Sequence, residues 1–150
     1  SPNGRLCLIH FKFIHQYHYT PQRLNRYGLR TSAACDRCGM DRADFLHVAW
    51  GCPAIALFWR RVFNTLYEML EFELQPSPLM ALLGCTRLLP RSIRRLDSVA
   101  LLLAKRCVAQ RWGRGSSPNV TRWLCDMIYC NEQMDEFYKL IPCRQRPRDI

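Results

Sequence analysis

Four side chains that bind transition metals fall close together in the chain, in the order Cys35-x2-Cys38-x8-His47-x4-Cys52. Zinc takes four thiolate or imidazole ligands in a tetrahedron, so if these four share an ion the stretch must fold back on itself. A Cys-x2-Cys pair in a tight turn can present both sulfurs to one ion. His47 and Cys52 are five residues apart, one too many for the same face of a straight α-helix. Gly51 offers a point where the chain can leave a helix and swing Cys52 back toward His47. Cys52 would then cap the next helix, ahead of Pro53 at its first position, where the positive helix end favours thiolate over thiol. Read this way, the ion staples a loop to the junction of two helices. The eight-residue middle gap is longer than the four-residue gap of retroviral zinc knuckles, so that knuckle is not expected. Spacing alone leaves chance open, because nine cysteines make an accidental Cys-x2-Cys common.

The other cysteines are Cys7, Cys85, Cys107, Cys125, Cys130 and Cys143. The odd total of nine, the place of several inside apolar helical patterns and the lack of a signal peptide at the start of the sequence point to a reducing compartment. The opening Ser1-Pro2-Asn3-Gly4 has no initiator Met and reads as a cut end. No apolar run approaches the ~20 residues that span a bilayer.

Elsewhere the pattern is helical, and the expected fold is all-α. A first helix over residues 5–19 buries Leu6, Ile9, Phe13, Ile14 and Tyr17. Thr20 and Pro21 open a short helix that carries Leu24 and Tyr27 and stops at Gly28. Residues 29–41 read as a loop, and 43–50 as a short helix. A longer helix from Pro53 to about residue 70 has the stripe Ile55, Phe58, Trp59, Val62, Phe63, Leu66 and Met69. Gln75-Pro76-Ser77-Pro78 breaks the pattern, and residues 79–83 make one or two turns closed by Gly84. Pro90 opens the longest expected helix, to about residue 112, with Ile93, Leu96, Val99, Ala100, Leu103, Cys107 and Val108 inward. After a flexible stretch at 113–118, a last helix over 119–140 carries Val120, Trp123, Leu124, Met127, Ile128, Met134, Phe137 and Tyr138. Trp59, Trp112 and Trp123 fall on apolar stripes and are assigned to the core; Trp50 fits core or site equally. The organisation expected is a small multi-helix domain. A Cys-Cys-His-Cys zinc staple in region 1–74 lies between the N-terminal helices and a C-terminal helical pair in 75–142, continuous with it or packed on it. A basic disordered tail follows at 143–150.

Charge narrows the function. Twenty-two Lys and Arg face twelve Asp and Glu, a formal net charge of +10. Most of the cations are Arg, which is always charged and binds phosphate bidentately or stacks on bases. A chain this basic points to nucleic acid before a ribosome-like or anionic-membrane partner. The plainer alternative is solubility, which acidic residues supply at least as well.

The surroundings of the four ligands add a family likeness. The stretch His-Gln-Tyr-His-Tyr-Thr-Pro-Gln-Arg-Leu (residues 15–24) precedes Cys35 and Cys38. His47-Val-Ala-Trp-Gly-Cys52-Pro53 and Phe58-Trp59 follow. In that order these resemble the zinc-binding region after the reverse transcriptase domain of LINE-type (non-LTR) retrotransposons, with Gln16 where Arg is usual. The similarity covers residues 11–62 most closely. It extends through "ALLGCTRLLP", "ALLLAKRCVAQRW" and "VTRWLCDM", and is strongest to the vertebrate LINE-1-like branch. It implies a zinc cofactor on Cys35, Cys38, His47 and Cys52. It also implies a C-terminal segment of a polyprotein that nicks DNA and copies its own RNA at the nick. The partners implied are RNA, single-stranded or nicked DNA, and the reverse transcriptase domain of the same polyprotein, in cytoplasm and nucleus, with no membrane. Neither polymerase aspartates nor an endonuclease carboxylate and histidine set occur here, so the segment is expected to be non-catalytic.

The expected nucleic-acid contacts are Arg23, Arg26, Arg30, Arg37 and Arg42 around the cysteine loop. Arg91, Arg94, Arg95, Lys105, Arg106, Arg111 and Arg114 follow on or beside the long helix, and Arg144, Arg146 and Arg148 lie in the tail. About six phosphate contacts would lose on the order of a thousandfold in affinity as salt rises from tens to a few hundred millimolar. Tyr17, Tyr19 and Tyr27 can stack on unpaired bases. For each of these the alternative is a solvated helix face or rim packing. Two other functions stand beside nucleic-acid binding. One is a docking module, which an exposed apolar patch on the long helix would favour. The other is an enzyme using His10, His15 and His18, of which the last two would share a helix face; no nucleophile or carboxylate stands near them in sequence.

Overall fold

The computed structural model describes residues 2–140, with side chains described for 4–133. The stripe positions Met134, Phe137 and Tyr138, and the tail with Cys143, Arg144, Arg146 and Arg148, lie outside the described side chains. The architecture is all-α, with no strand among the described residues. Among the described residues six α-helices follow in order: α1 (Pro2–Ile14), α2 (Pro21–Arg26), α3 (Pro53–Leu70), α4 (Pro78–Leu83), α5 (Arg91–Gln110) and α6 (Val120–Leu140). A π-helical turn, His47–Gly51, precedes α3. α6 is longer than α5 by one residue.

α1 stops five residues earlier than its apolar spacing predicts. Gln16 adopts a left-handed conformation, φ 51°. The Tyr17 N–H reaches back to the Lys12 carbonyl (2.9 Å) and the Gln16 N–H to that of Phe13 (3.2 Å). This is the Schellman closure, normally made by glycine; the Arg23 guanidinium holds the Gln16 carbonyl from outside at 2.9 Å. Ile14 and Tyr17 are therefore exposed, and only Phe13 of the expected stripe is fully buried. α2 begins as predicted: the Thr20 hydroxyl accepts the Arg23 N–H at 3.2 Å, with Pro21 in the first turn.

One contiguous core joins the two expected regions. α3 supplies Ile55, Phe58, Trp59, Val62, Phe63 and Leu66, and α5 supplies Ala100, Leu101, Leu103, Ala104, Cys107 and Val108. Trp123 of α6 is fully buried, and its indole N–H donates to the Ala100 carbonyl at 2.9 Å. Met69, expected inside, is half exposed because it falls at the frayed end of α3. Trp112 is half-buried, at the edge of the core.

Two ionisable groups of α5 are buried with the apolar side chains. Lys105 donates to His10 Nδ1 of α1 and to the Leu82 carbonyl (3.3 Å) at the end of α4. Gly84 closes α4 at φ 70°, and a Cβ there would stand 3.3 Å from His10 Cε1, so the latch of three helices needs the glycine. Burial lowers the Lys105 pKa to about 8, and it lowers that of His10 together with the Lys105 charge. Asp97 is fully buried with both carboxylate oxygens unpaired, and burial raises its pKa to about 6.

Candidate metal centre

The knuckle over residues 35–40 is a tight turn. The Cys35 N–H donates to the Met40 carbonyl (2.8 Å), and the Gly39 N–H returns to that of Cys35 (2.9 Å). Gly39 sits at φ 74°, where a side chain would be strained. The turn sets Cys35 and Cys38 on one side. Across from them the chain winds from Phe45 into the π-helical turn. The Asp44 carboxylate caps it by accepting the His47 N–H at 2.7 Å.

Five residues separate His47 from Cys52, and the structure resolves that mismatch differently from the sequence expectation. Gly51 does not take a left-handed conformation, and a Cβ there would make only ordinary contact, 3.8 Å from the Leu46 carbonyl. Instead the Cys52 N–H bonds to the His47 carbonyl (2.7 Å), an i→i+5 turn. The widened turn brings the fifth residue round to the face of the first. Trp59 locks it from α3 by donating its indole N–H to the Ala49 carbonyl at 2.8 Å.

The ligand atoms of Cys35, Cys38, His47 and Cys52 consequently all lie within 4.8 Å of one another. Cys35 Sγ and Cys52 Sγ are 3.8 Å apart, and Cys38 Sγ and His47 Nε2 3.3 Å. A tetrahedron with metal–sulfur bonds of about 2.3 Å has edges of roughly 3.8 Å, so the cluster can hold a metal ion. Cys35 and Cys52 are buried, while Cys38 is exposed.

The two buried sulfurs differ electrostatically. At Cys35 burial opposes the thiolate, but the backbone N–H groups of Arg37 and Cys38 and the adjacent thiols bring the pKa below the ordinary thiol value. At Cys52 burial wins and the pKa is raised. The Ala54 and Ile55 N–H groups at the start of α3 favour the thiolate, as the helix end was expected to do, yet they do not overcome desolvation.

The expected nucleic-acid contacts separate into several sets. Lys105 is withdrawn: at 2% exposure with its ammonium between His10 and α4, it cannot meet a phosphate. Its aliphatic stem falls on the inward face of α5, which a count of cations does not reveal. Arg37 fastens the knuckle to distant chain, donating to the carbonyls of Val48 (2.9 Å), Arg111 (3.2 Å) and Ser116 (3.2 Å). Arg30 pairs with Asp36, Arg94 holds the Arg87 and Leu89 carbonyls, and Arg106 stands 4.0 Å from Asp126. Arg26, Arg42, Arg91, Arg95, Arg111 and Arg114 are exposed, as are Tyr17, Tyr19 and Tyr27.

The three histidines outside the cluster are not brought together. His10 accepts from Lys105, His15 stacks on Phe11 (4.3 Å), and His18 packs on Trp112 (4.6 Å). Because α1 ends at Ile14, His15 and His18 share no helix face. No protein-family model matches the chain.

Other residues complete the site's surroundings. Asp44 stands three residues before His47, a capping spacing that could have been read. Asp36 had no such signal, and Trp112, expected in the core, stands half-buried beside the site.

Proposed function

We propose that this chain is a zinc-stapled, non-catalytic module that binds single-stranded RNA or DNA. In this reading it is the C-terminal segment of a LINE-type reverse transcriptase, working beside the polymerase domain. The ordered motifs of residues 11–62 support the family reading. Three sulfurs and one imidazole favour zinc over oxygen-seeking cations. The observation that carries the function is the clustering around the metal centre. Arg37 of the knuckle bonds to backbone near the exposed Arg111 and Arg114, more than seventy residues away in the chain. The same ion that closes the knuckle thereby fixes a cationic surface with the exposed Tyr19 beside it.

Zinc content, thermal unfolding and nucleic-acid binding test this together. The expected result is close to one zinc per chain, lost in Cys38→Ser along with a lowered midpoint. Single-stranded oligonucleotides should bind with an affinity that falls steeply with salt. Full stability in chelator removes the staple, and absent or salt-insensitive binding removes the function.

A docking role has one specific observation behind it. Leu8, Phe11 and Ile14 form an outward apolar row on α1, at 52%, 49% and 42% exposure. On α5, where an exposed patch would favour docking, every apolar side chain is buried or half-buried.

A further inference from the structure

A cleft of about 110 Å³ opens beside the metal centre, and no part of the reading above assigns it a ligand. Its walls come from five separate stretches: Tyr19, Arg30, the knuckle residue Arg37, Val48 of the π-helical turn, and Trp112 with Arg114 after α5. Cys35, a ligand of the cluster, stands in the same wall. Pockets for drug-sized molecules run to roughly 300–1,000 Å³, so this one has room for a single ring system with its chain passing outside.

The cleft is built before any ligand arrives. The Trp112 indole N–H donates to the Tyr19 carbonyl at 2.7 Å, and the ring is wedged against His18 and Phe45 at 4.6 and 5.5 Å. Arg37 is held by three carbonyls and cannot swing away. The loop over 113–118 lies so close to the knuckle that a Cβ on Gly115 would stand 3.2 Å from the Asp36 carbonyl. The Tyr19 ring, in contrast, is 59% exposed and presents an aromatic surface at the mouth.

Charge specifies the rest. Asp36 neutralises Arg30. Arg37 is bonded only to neutral carbonyls, and Arg114 is exposed. The wall stays net positive even beside a centre of three thiolates and a divalent ion. Rings and guanidinium groups together match a nucleotide, whose base stacks and whose phosphate is an anion.

We propose that this cleft holds one unpaired nucleotide of a single-stranded nucleic acid, with its base against Tyr19 and its phosphate between Arg37 and Arg114. The proposal rests on the nucleic-acid reading and deepens it: base recognition sits at the metal-stapled knuckle. A base inside a duplex cannot enter, so single strands, loops and frayed ends are preferred.

The test uses the full chain loaded with zinc and a fluorescent uridine 12-mer at fixed salt. Tyr19→Ala is expected to weaken binding by roughly fivefold to a hundredfold, the range for loss of one base–aromatic stack. Tyr19→Phe keeps the ring and should keep the affinity. For a 12-mer of abasic sites the native chain and Tyr19→Ala should bind equally. A 4-thiouridine oligomer should crosslink to the peptide carrying Tyr19 or Trp112. The exposure of Tyr19 makes misfolding of these variants easy to exclude by their unfolding midpoints. Binding that Tyr19→Ala leaves unchanged overturns the cleft proposal while the nucleic-acid function stands. So does an equal loss in Tyr19→Phe, or displacement of the uridine oligomer from the cleft by polyglutamate at equal charge. No binding by the native chain overturns both.

Discussion

Replacing Asp97 with Asn should remove a pH dependence that the native protein carries. The carboxyl is fully buried on α5, neither oxygen has a hydrogen-bond partner, and burial raises its pKa from 3.8 to about 6. The unfolded chain releases this proton near pH 4, whereas the folded chain keeps it to about pH 6. Between those values the folded state binds more protons, so stability falls as pH rises through the window and levels off above it. At about 1.36 kcal/mol per unit, the gap costs on the order of 3 kcal/mol at pH 7. Asn cannot ionise, and its own unpaired amide costs about 1–3 kcal/mol at every pH. The stability difference, Asp97→Asn minus native, should therefore climb by about 3 kcal/mol between pH 4 and 7. Urea denaturation of both proteins at half-unit pH intervals measures it. Taking the difference cancels the other titrations, including proton competition at the metal ligands. A flat difference across this range would refute the argument, because it would mean that water or a partner solvates the charged carboxylate.

Three further outcomes follow from particular contacts. Lys105, with its pKa lowered to about 8, sheds its proton in the folded state while the unfolded chain keeps it to about 10.5. The native protein should thus gain stability from pH 8 to 10, and Lys105→Met should lack that gain when both are denatured in urea. Arg37→Met strips donors from three carbonyls, of which that of Val48 belongs to a buried residue. A loss of about 1–3 kcal/mol is expected, and Arg37→Lys should recover little of it, since an ammonium lacks the planar fork. Trp123→Phe removes the indole N–H that bonds to the Ala100 carbonyl and leaves space where the larger ring was packed, which should lower stability by about 1–3 kcal/mol in guanidinium denaturation.

How legible these features were depends on what each residue type announces. The stripes of α3 and α5 could be read because burial repeats with the helical period, and Thr20-Pro21 because capping chemistry is local. The four residues of the candidate metal cluster were legible as types and spacings. The π-helical turn that joins His47 to Cys52 was not, since no residue type announces an i→i+5 bond and the Trp59 indole that locks the turn comes from α3. The early end of α1 was hidden for a related reason. Gln16 does a glycine's work at positive φ, and its tie to Arg23 is tertiary. Lys105 and Asp97 defeat reading by type altogether: charged residues on the inner face of α5 look like any others until the packing partners are known.

The same distinction predicts how steeply binding should depend on salt. Twelve cations outside the tail were legible as contacts, but several of their head groups are committed within the fold. Lys105 is buried, Arg30 is neutralised by Asp36, and the guanidinium groups of Arg23 and Arg94 hold carbonyls. Arg26, Arg42, Arg91, Arg111 and Arg114 are exposed, and Arg37 keeps its charge while facing the cleft. Single-stranded binding has a log–log salt slope of about −0.7 per phosphate neutralised. Five to six contacts give a slope near −4, whereas all twelve would give about −8. Titrating a uridine 12-mer from 50 to 200 mM salt separates the two. A slope near −8 would mean that the internal bonds of these arginines open on binding, and that the folded surface described here is not the one that meets the nucleic acid.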